Sequence, residues 1–367
     1  MNKSNLIPKP LFLERIKQLL PDEKDFQSYL EILKHDPVRS IRCNTLKITP
    51  KELKKRLEEK NWKISQPWEN YPEVFIIEGK YSRSRSQFNK DDNKISKQQK
   101  DSDDINHSSG VGGRGLVGWD DLIPLEPGEL GRSLEHLLGY YYVQELASML
   151  PVIALNPQEG ELILDLAASP GSKTTQISAK MKNTGTIIAN EVSLGRIKIL
   201  ASNLERCGVT NCIITRKDGV AFCERIKKFN PNLKLDKILI DAPCSGEGTL
   251  RSTPKTYQMW NPKTIFNLSR LQKSLVASAI EILKDGGTLV YSTCTHAPEE
   301  NEEVVNFVLE KFPEIKIEQI KLPIKCRQGI TIWQDKEYNK EIKKSCRIYP
   351  HDANTEGFFI TKFKKIN

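Results

Sequence analysis

The chain has 367 residues, of which 38% are hydrophobic and 28% charged, and 56 Lys and Arg against 47 Asp and Glu give a formal net charge of +9. No run approaches the roughly 18 apolar residues of a membrane span, and the N-terminus lacks the apolar core of a signal peptide, so we expect a soluble cytoplasmic protein. Its eight cysteines form no CxxC pair and its five histidines no HxxxH pattern, which argues against a metal site or a disulfide scaffold.

Residues 1–79 are predicted to form a small N-terminal α/β region. LFLERIKQLLP and DFQSYLEILKH have helical spacing, SIRCNTLKI alternates like a strand, and a further helix follows with Thr49 as its N-cap and Pro50 in its first turn. The basic balance of the chain suits a polyanionic partner. Four polar residues around the first strand are therefore candidate RNA contacts, although a solvated strand end explains them equally well: Arg39, Arg42, Asn44 and Thr45.

Residues 80–115 have a different composition. The run is rich in Ser, Lys, Asp, Asn and Gly and has almost nothing to bury, so it cannot offset the entropy lost on ordering. It is predicted to be a disordered, low-complexity insertion.

Residues 116–367 are predicted to form a doubly wound α/β domain. Five strand-like runs alternate with helical stretches, and they are apolar throughout, as expected for strands covered by helices on both faces. These runs are ELILDLAA, GTIIANE, NCIITRKD, KLDKILIDAP and GTLVYSTC. Ligands of such sheets bind beyond the carboxyl ends of the strands.

Small and acidic residues stand at those strand ends. The first strand runs into DLAASPGSKTTQ (Asp165–Gln176), a small-residue turn that opens a helix without the GxGxxG or P-loop spacing. Glu191 ends the second strand and can accept the hydroxyls of a ribose, Asp218 can accept from an adenine amino group, and Asp241 ends the fourth. Because an acidic edge repels a phosphate-rich nucleotide, the pattern favours S-adenosylmethionine.

A cysteine follows each of two strands, in DAPCSGEGT (Cys244) and in YSTCT (Cys294). A thiol is required to methylate carbon 5 of a pyrimidine, because a thiolate that adds to carbon 6 makes carbon 5 nucleophilic. An acid near ring nitrogen 3 stabilises the adduct, and Asp241 is the candidate. From the strand ends alone, either thiol could be the nucleophile.

At these residues the chain resembles the Nol/Nop/Sun family of S-adenosylmethionine-dependent RNA cytosine-5 methyltransferases. The resemblance covers nearly the whole chain outside 80–115. Its motifs are SIRCNTLK, YVQELASMLP, DLAASPGSKTTQ, DAPCSGEGT, YSTCT followed by PEENEEVV, and GFF. ASPGSK and DAPCSGEGT look closest to the bacterial branch that acts on small-subunit ribosomal RNA, whose C-terminal extension we do not expect here.

The resemblance implies a Rossmann-like methyltransferase domain and a role for each site residue. It makes Cys294 the nucleophile, Cys244 the thiol that assists product release, and Lys173 and Asp241 the side chains that face the target base. It also assigns the cofactor to the following residues: Ala167, Ala168, Ser169, Pro170, Gly171, Ser172, Lys173, Glu191, Asp218 and Asp241. Many members have Cys at the position of Ala167 and Gly at that of Ser172, but neither change removes a catalytic group.

We therefore predict a monomeric RNA cytosine-5 methyltransferase that acts on 16S-type ribosomal RNA through a covalent cysteine–cytosine adduct. Three alternatives stay open: a transfer RNA substrate, DNA cytosine methylation through Cys244, and a catalytically silent RNA-binding assembly factor. RSTPKTYQMW (Arg251–Trp260) offers cations and aromatics for a flipped base, or is a surface loop that packs Trp260.

Overall fold

A computed structural model describes residues 8–81 and 122–366. The helices in these ranges, in chain order, are α1 Pro10–Leu19, α2 Glu23–Ile32, α3 Pro50–Glu58, α4 Glu129–Arg132, α5 Leu134–Leu137, α6 Leu146–Leu155, α7 Ser172–Lys180, α8 Leu194–Cys207, α9 Gly219–Phe229, α10 Thr256–Met259, α11 Pro262–Ile282, α12 Glu302–Lys311 and α13 Pro350–Ala353. The strands are β1 Ser40–Cys43, β2 Trp62–Ser65, β3 Val74–Tyr81, β4 Leu122–Ile123, β5 Tyr141–Val143, β6 Leu162–Asp165, β7 Thr186–Asn190, β8 Cys212–Thr215, β9 Leu235–Asp241, β10 Leu283–Thr293, β11 Ile315–Glu318, β12 Arg327–Gln328, β13 Ile332–Trp333, β14 Lys336–Glu337, β15 Cys346–Ile348 and β16 Phe358–Lys365.

The contacts divide the chain into two units. Of the described residues, one unit contains 8–38 and 144–366 and the other contains 39–81 and 122–143. This division differs from the boundaries expected at 79 and 115, because α1 and α2 group with the large unit and residues 122–143 group with the small unit. Except for Lys80 and Tyr81, which end β3, the predicted insertion at 80–115 lies outside the described residues.

The large unit is built on a nine-stranded sheet in the order β12-β15-β16-β10-β9-β6-β7-β8, with β11 also paired to β16. Strands β10, β9, β6, β7 and β8 are parallel, and β16 joins β10 antiparallel. The five predicted strands are all present, and the predicted α/β class with a largely parallel sheet is confirmed. The strand order reverses between β6 and β9, and such a point opens a crevice at the carboxyl ends of the strands.

The core of this unit lies between the sheet and its helices. Ile238, Leu239 and Ile240 of β9 are fully buried, as are Leu289 and Val290 of β10. Consecutive apolar residues are buried here because both faces of the parallel strands are covered.

Helices α1 and α2 pack in the large unit against the loops that follow β9 and β10. Phe12 makes edge-to-face contacts with Tyr257 and Trp260, with ring centroids 5.7 and 5.6 Å apart. Arg15 forms a two-pronged ion pair with the largely buried Glu299. The helical periodicity of the sequence places Phe12 on the apolar face that makes this contact.

The small unit contains an antiparallel sheet in the order β2-β3-β1-β5, with β4 paired to β3. Helix α3 begins with the predicted Thr49 cap, which forms a capping box with Glu52. Two of the four candidate RNA contacts are wrong: Arg42 and Asn44 are 2% exposed, and the Asn44 amide donates to the carbonyl of Gly139.

Across the described ranges, no helix is both long enough and apolar enough to cross a membrane. The longest, α11, carries charged residues along its length.

Candidate functional site

The loops after β9 and β10 carry the two cysteines, and they are joined side by side. β9 and β10 are adjacent and parallel, so both loops leave the same edge of the sheet. The Ala242 amide donates to the Ser292 carbonyl (2.9 Å), and the hydroxyls of Ser245 and Thr295 lie 2.8 Å apart. The Gly248 amide donates to the Cys294 carbonyl over 2.8 Å. The loops are therefore held together on both sides of the thiols.

Gly248 is required for this close approach. A Cβ at this position would lie 2.2 Å from the carbonyl oxygen of Gly357 and 2.9 Å from that of Cys294. No side chain fits there without moving backbone, which explains the glycine in the GEGT part of the loop.

The sulfur atoms of Cys244 and Cys294 are 3.2 Å apart. The hydrogen bond to Cys294, together with burial and the negative charge of Glu300, raises the pKa of Cys244 well above its ordinary value. Cys244 therefore holds its proton tightly beside the Cys294 sulfur. Both thiols remain partly exposed.

Glu300 holds the Cys244 loop in place through hydrogen bonds. It is fully buried, its carboxylate accepts the Ser245 amide (3.0 Å) and the Gln272 amide (2.8 Å), and burial raises its pKa to about 7. Gln272 also donates to the carbonyl of Pro243, the residue before Cys244. These bonds fix the backbone on both sides of the thiol.

Lys173 and Asp241 form an ion pair of 2.7 Å at the switch point of the sheet. The Lys173 ammonium also donates to the Ser148 hydroxyl (3.0 Å) and lies 5.5 Å from the ring centroid of Phe358. The Ser292 hydroxyl donates to the other carboxylate oxygen of Asp241 (2.8 Å). Side-chain exposure is 8% for Lys173 and 30% for Asp241, so the carboxylate is the part of the pair that solvent and ligands reach.

The predicted cofactor loop joins β6 to α7. Gly171 adopts φ +101° at the N-cap of α7, a left-handed conformation that favours glycine. Ala168 is tied to β7 through its amide, which donates to the Asn190 carbonyl. Ala168, Ser169, Gly171 and Lys173 are buried, Ala167 and Ser172 are half-buried, and Pro170 is exposed.

Glu191 and Asp218 stand at the ends of β7 and β8 as predicted, but in different settings. Glu191 is 2% exposed; it accepts the Ser193 amide (2.9 Å), and Arg196 lies 3.3 Å from its second oxygen. Arg196 also donates to the Ser169 carbonyl (2.7 Å), so its guanidinium joins the cofactor loop to β7. Asp218 is exposed and caps α9 by accepting the Ala221 amide.

The residues present fit an adenosyl sulfonium cofactor. One buried oxygen of Asp165, at the end of β6, has no hydrogen-bond partner, while Thr174 donates to the other. Burial raises the pKa of Asp165 to about 6. This Asp165 oxygen lies beside a loop that opens a helix, and the buried carboxylate of Glu191 follows the next strand. Together these groups suit a ligand with a positive charge and ribose hydroxyls. In residues 8–81 and 122–366 no cluster of His, Cys, Asp or Glu is arranged to hold a metal ion.

The two end residues of the segment Arg251–Trp260 are buried and stabilise the fold. Arg251 is fully buried, and its guanidinium donates to the backbone carbonyls of His35, Asp36 and Thr355. Trp260 is 5% exposed and donates to Glu247 (2.7 Å). The interpretation as a base-contacting surface is therefore wrong for these two residues.

Sequence reasoning missed several residues that hold the site together: Ser148, Gln272, Ser292, Glu300 and Phe358. Four of them stand within quoted motifs, so the signal was present without an assigned role: Ser148 in YVQELASMLP, Ser292 in YSTCT, Glu300 in PEENEEVV and Phe358 in GFF. Gln272 is an ordinary helical residue whose role depends on packing alone.

Comparison with known proteins identifies RNA methyltransferases as relatives of this chain. Residues 152–364 match the family model described as 16S rRNA methyltransferase RsmB/F. The chain is 38% identical over 347 residues to the tRNA (cytosine(49)-C(5))-methyltransferase of Pyrococcus abyssi, a match that spans 94% of this chain and 93% of that protein. It is 35% identical to ribosomal RNA small subunit methyltransferase F of Erwinia tasmaniensis, where 97% of this chain covers 63% of the relative.

Two solved structures are similar along the whole chain. One is a methyltransferase homologue from Pyrococcus horikoshii, with a TM-score of 0.75, 31% identity and coverage of 100% and 98% of the two chains. The other is NSun6 of Pyrococcus horikoshii with SFG, with a TM-score of 0.72, 27% identity and 99% coverage of both chains.

Proposed function

The chain belongs to the 16S rRNA methyltransferase RsmB/F family, and from that membership and the geometry of the thiol pair we propose that it transfers a methyl group from S-adenosylmethionine to carbon 5 of a cytosine in RNA. The observation that carries the proposal is the 3.2 Å contact between Cys244 and Cys294. Cytosine-5 chemistry needs one thiol to attack carbon 6 and a proton source beside it, and this pair supplies both.

Cys294 is the proposed nucleophile. We propose that the Cys244 thiol donates a hydrogen bond to the Cys294 sulfur and stabilises the thiolate, and the Cys294 side chain is partly exposed. Addition of the thiolate to carbon 6 forms the carbon–sulfur bond and moves the ring electrons to carbon 5 and nitrogen 3. We propose that Asp241, held by Lys173 and Ser292, contacts the base edge near nitrogen 3.

The cofactor supplies the electrophilic methyl group for carbon 5. We propose that the loop Ala167–Lys173, Glu191, Asp218 and Asp241 hold it. Ribose hydroxyls would replace Arg196 on Glu191, since the guanidinium is half-exposed and its bond to the Ser169 carbonyl uses a different nitrogen from its pair with that carboxylate. A base then removes the carbon 5 proton, the electron pair reforms the double bond between carbons 5 and 6, and Cys294 leaves as a thiolate that the Cys244 thiol can hydrogen-bond again.

Variants of the two thiols test the assignment. Cys294→Ala is expected to abolish methyl transfer to RNA. Cys244→Ala is expected to bind RNA in a covalent adduct that survives denaturing electrophoresis, because release is impaired and attack is not. Cys212→Ala, which changes a cysteine on β8, is the matched control and should turn over normally. Normal turnover by Cys294→Ala would refute the roles.

The proposed target is 16S-type ribosomal RNA, from the family description and the relatives named small subunit methyltransferase F. Transfer RNA is a second candidate, since the archaeal tRNA relative matches over 93% of its own length and the ribosomal relative over 63%. Bisulfite sequencing of both RNA classes from a strain without the gene decides between them. A cytosine that loses protection in only one class identifies the target, and transfer to duplex DNA alone would overturn the RNA assignment.

A further inference from the structure

The two thiols of the site are close enough to react with each other. Formation of a disulfide brings two sulfur atoms to about 2 Å, so the pair at 3.2 Å needs to close by only about 1 Å. The bonds Ala242–Ser292, Ser245–Thr295 and Gly248–Cys294 already hold the two loops side by side, so the two sulfurs stay within reach of each other.

We propose that Cys244 and Cys294 form a reversible intramolecular disulfide when hydroperoxides oxidise the protein, which makes this pair a modification site. The disulfide itself does not depend on the proposed function. The loss of activity that we expect from the disulfide does rest on the proposed function. An oxidised Cys294 has no thiolate to add to carbon 6, so methyl transfer stops until a dithiol reduces the bond.

The chemistry balances in two steps. The Cys294 thiolate attacks one oxygen of the hydroperoxide; the O–O bond breaks, the sulfur becomes a sulfenic acid, and hydroxide or alkoxide leaves. The Cys244 thiol then attacks that sulfur; the S–S bond forms, its proton goes to solvent and hydroxide leaves. The two thiols lose two electrons and the peroxide gains them.

The pKa shifts and the burial of the cysteines favour oxidation of this pair. Burial raises the pKa of Cys43, Cys212 and Cys223 to about 12, so these thiols hold little thiolate. Cys326 and Cys346 form a second pair in which the hydrogen bond with Cys326 lowers the pKa of Cys346, but Cys346 is only 5% exposed and is therefore shielded from oxidants in solution. Cys294 is partly exposed and faces a hydrogen-bond donor, which is the setting of a reactive thiol.

The test is peptide mapping of the full chain after treatment with hydrogen peroxide. We expect a loss of mass equal to two hydrogen atoms, a peptide linked through Cys244 and Cys294, and full reversal by dithiothreitol. In Cys244→Ser the reaction should stop at the sulfenic acid of Cys294, which dimedone labels, and Cys294→Ser should form neither product. Cys212→Ser is the control and should form the disulfide like the wild type.

The results test the disulfide and the proposed function separately. A linkage of Cys326 to Cys346, or labelling of any cysteine other than Cys294 in Cys244→Ser, would overturn the assigned disulfide. The same samples are assayed for methyl transfer to RNA. If the disulfide forms and activity persists, the disulfide stands and the proposed nucleophile is refuted. If the reduced protein has no activity, the proposed function fails while the mapping still decides the disulfide.

Discussion

Glu300→Gln removes a buried charge from beneath the Cys244 loop while it keeps an oxygen that can accept from Ser245 and Gln272. Burial raises the pKa of Glu300 from 4.5 to about 7. The folded protein therefore binds this proton more tightly than the unfolded chain, and the stabilisation is complete below pH 4.5 and lost as the pH rises through 7. The difference between the two pKa values corresponds to about 3 kcal/mol of unfolding free energy.

Urea denaturation of the wild type and the variant at about pH 5 and about pH 8 measures this effect. The glutamine variant cannot ionise, so its free energy of unfolding relative to the wild type should increase by about 2–3 kcal/mol between the two pH values. Glu310→Gln, an exposed position on α12, is the control for a Glu-to-Gln change. A difference for Glu300→Gln that does not vary with pH would refute the inferred burial of its charge.

Three further changes test other parts of the site. Arg347→Met should lower the free energy of unfolding by about 3–5 kcal/mol, because it leaves buried Glu302 without a counter-charge. Adding Glu302→Met should recover most of that loss in the same urea titration. Gly248→Ala should lower the thermal midpoint, because its Cβ meets backbone at 2.2 Å, whereas Gly131→Ala, with open space around it, should not; equal midpoints would contradict the packing argument. Glu191→Ala should weaken binding of S-adenosylmethionine by about tenfold to a hundredfold in calorimetry, since a buried charged acceptor is lost, and an unchanged Kd would remove Glu191 from the cofactor site.

The parts of the site that follow from strand order could be predicted. Asp241, Cys244 and Cys294 come directly after apolar runs, and parallel strands place such residues at one edge of a sheet. The sequence therefore indicated which side chains would meet. It did not indicate which of the two thiols keeps the proton, because that depends on Glu300 and on the 3.2 Å contact.

The parts that depend on long-range packing could not be predicted. Arg251 reads as a surface cation, yet it is buried because carbonyls from residues 35, 36 and 355 converge on it. Helices α1 and α2 read as part of the N-terminal region, yet their apolar faces match the aromatic loops of the large unit. Helical periodicity shows that a face is buried and does not show what buries it.

The position of β16 in the sheet has a consequence for biosynthesis. This strand, Phe358–Lys365, pairs with β10, and Phe358 lies over the ammonium of Lys173. The ribosome makes this strand well after both cysteines have been translated. A chain stalled before residue 358 would therefore hold every proposed catalytic residue but would lack the strand that pairs with β10 and the ring that lies over Lys173.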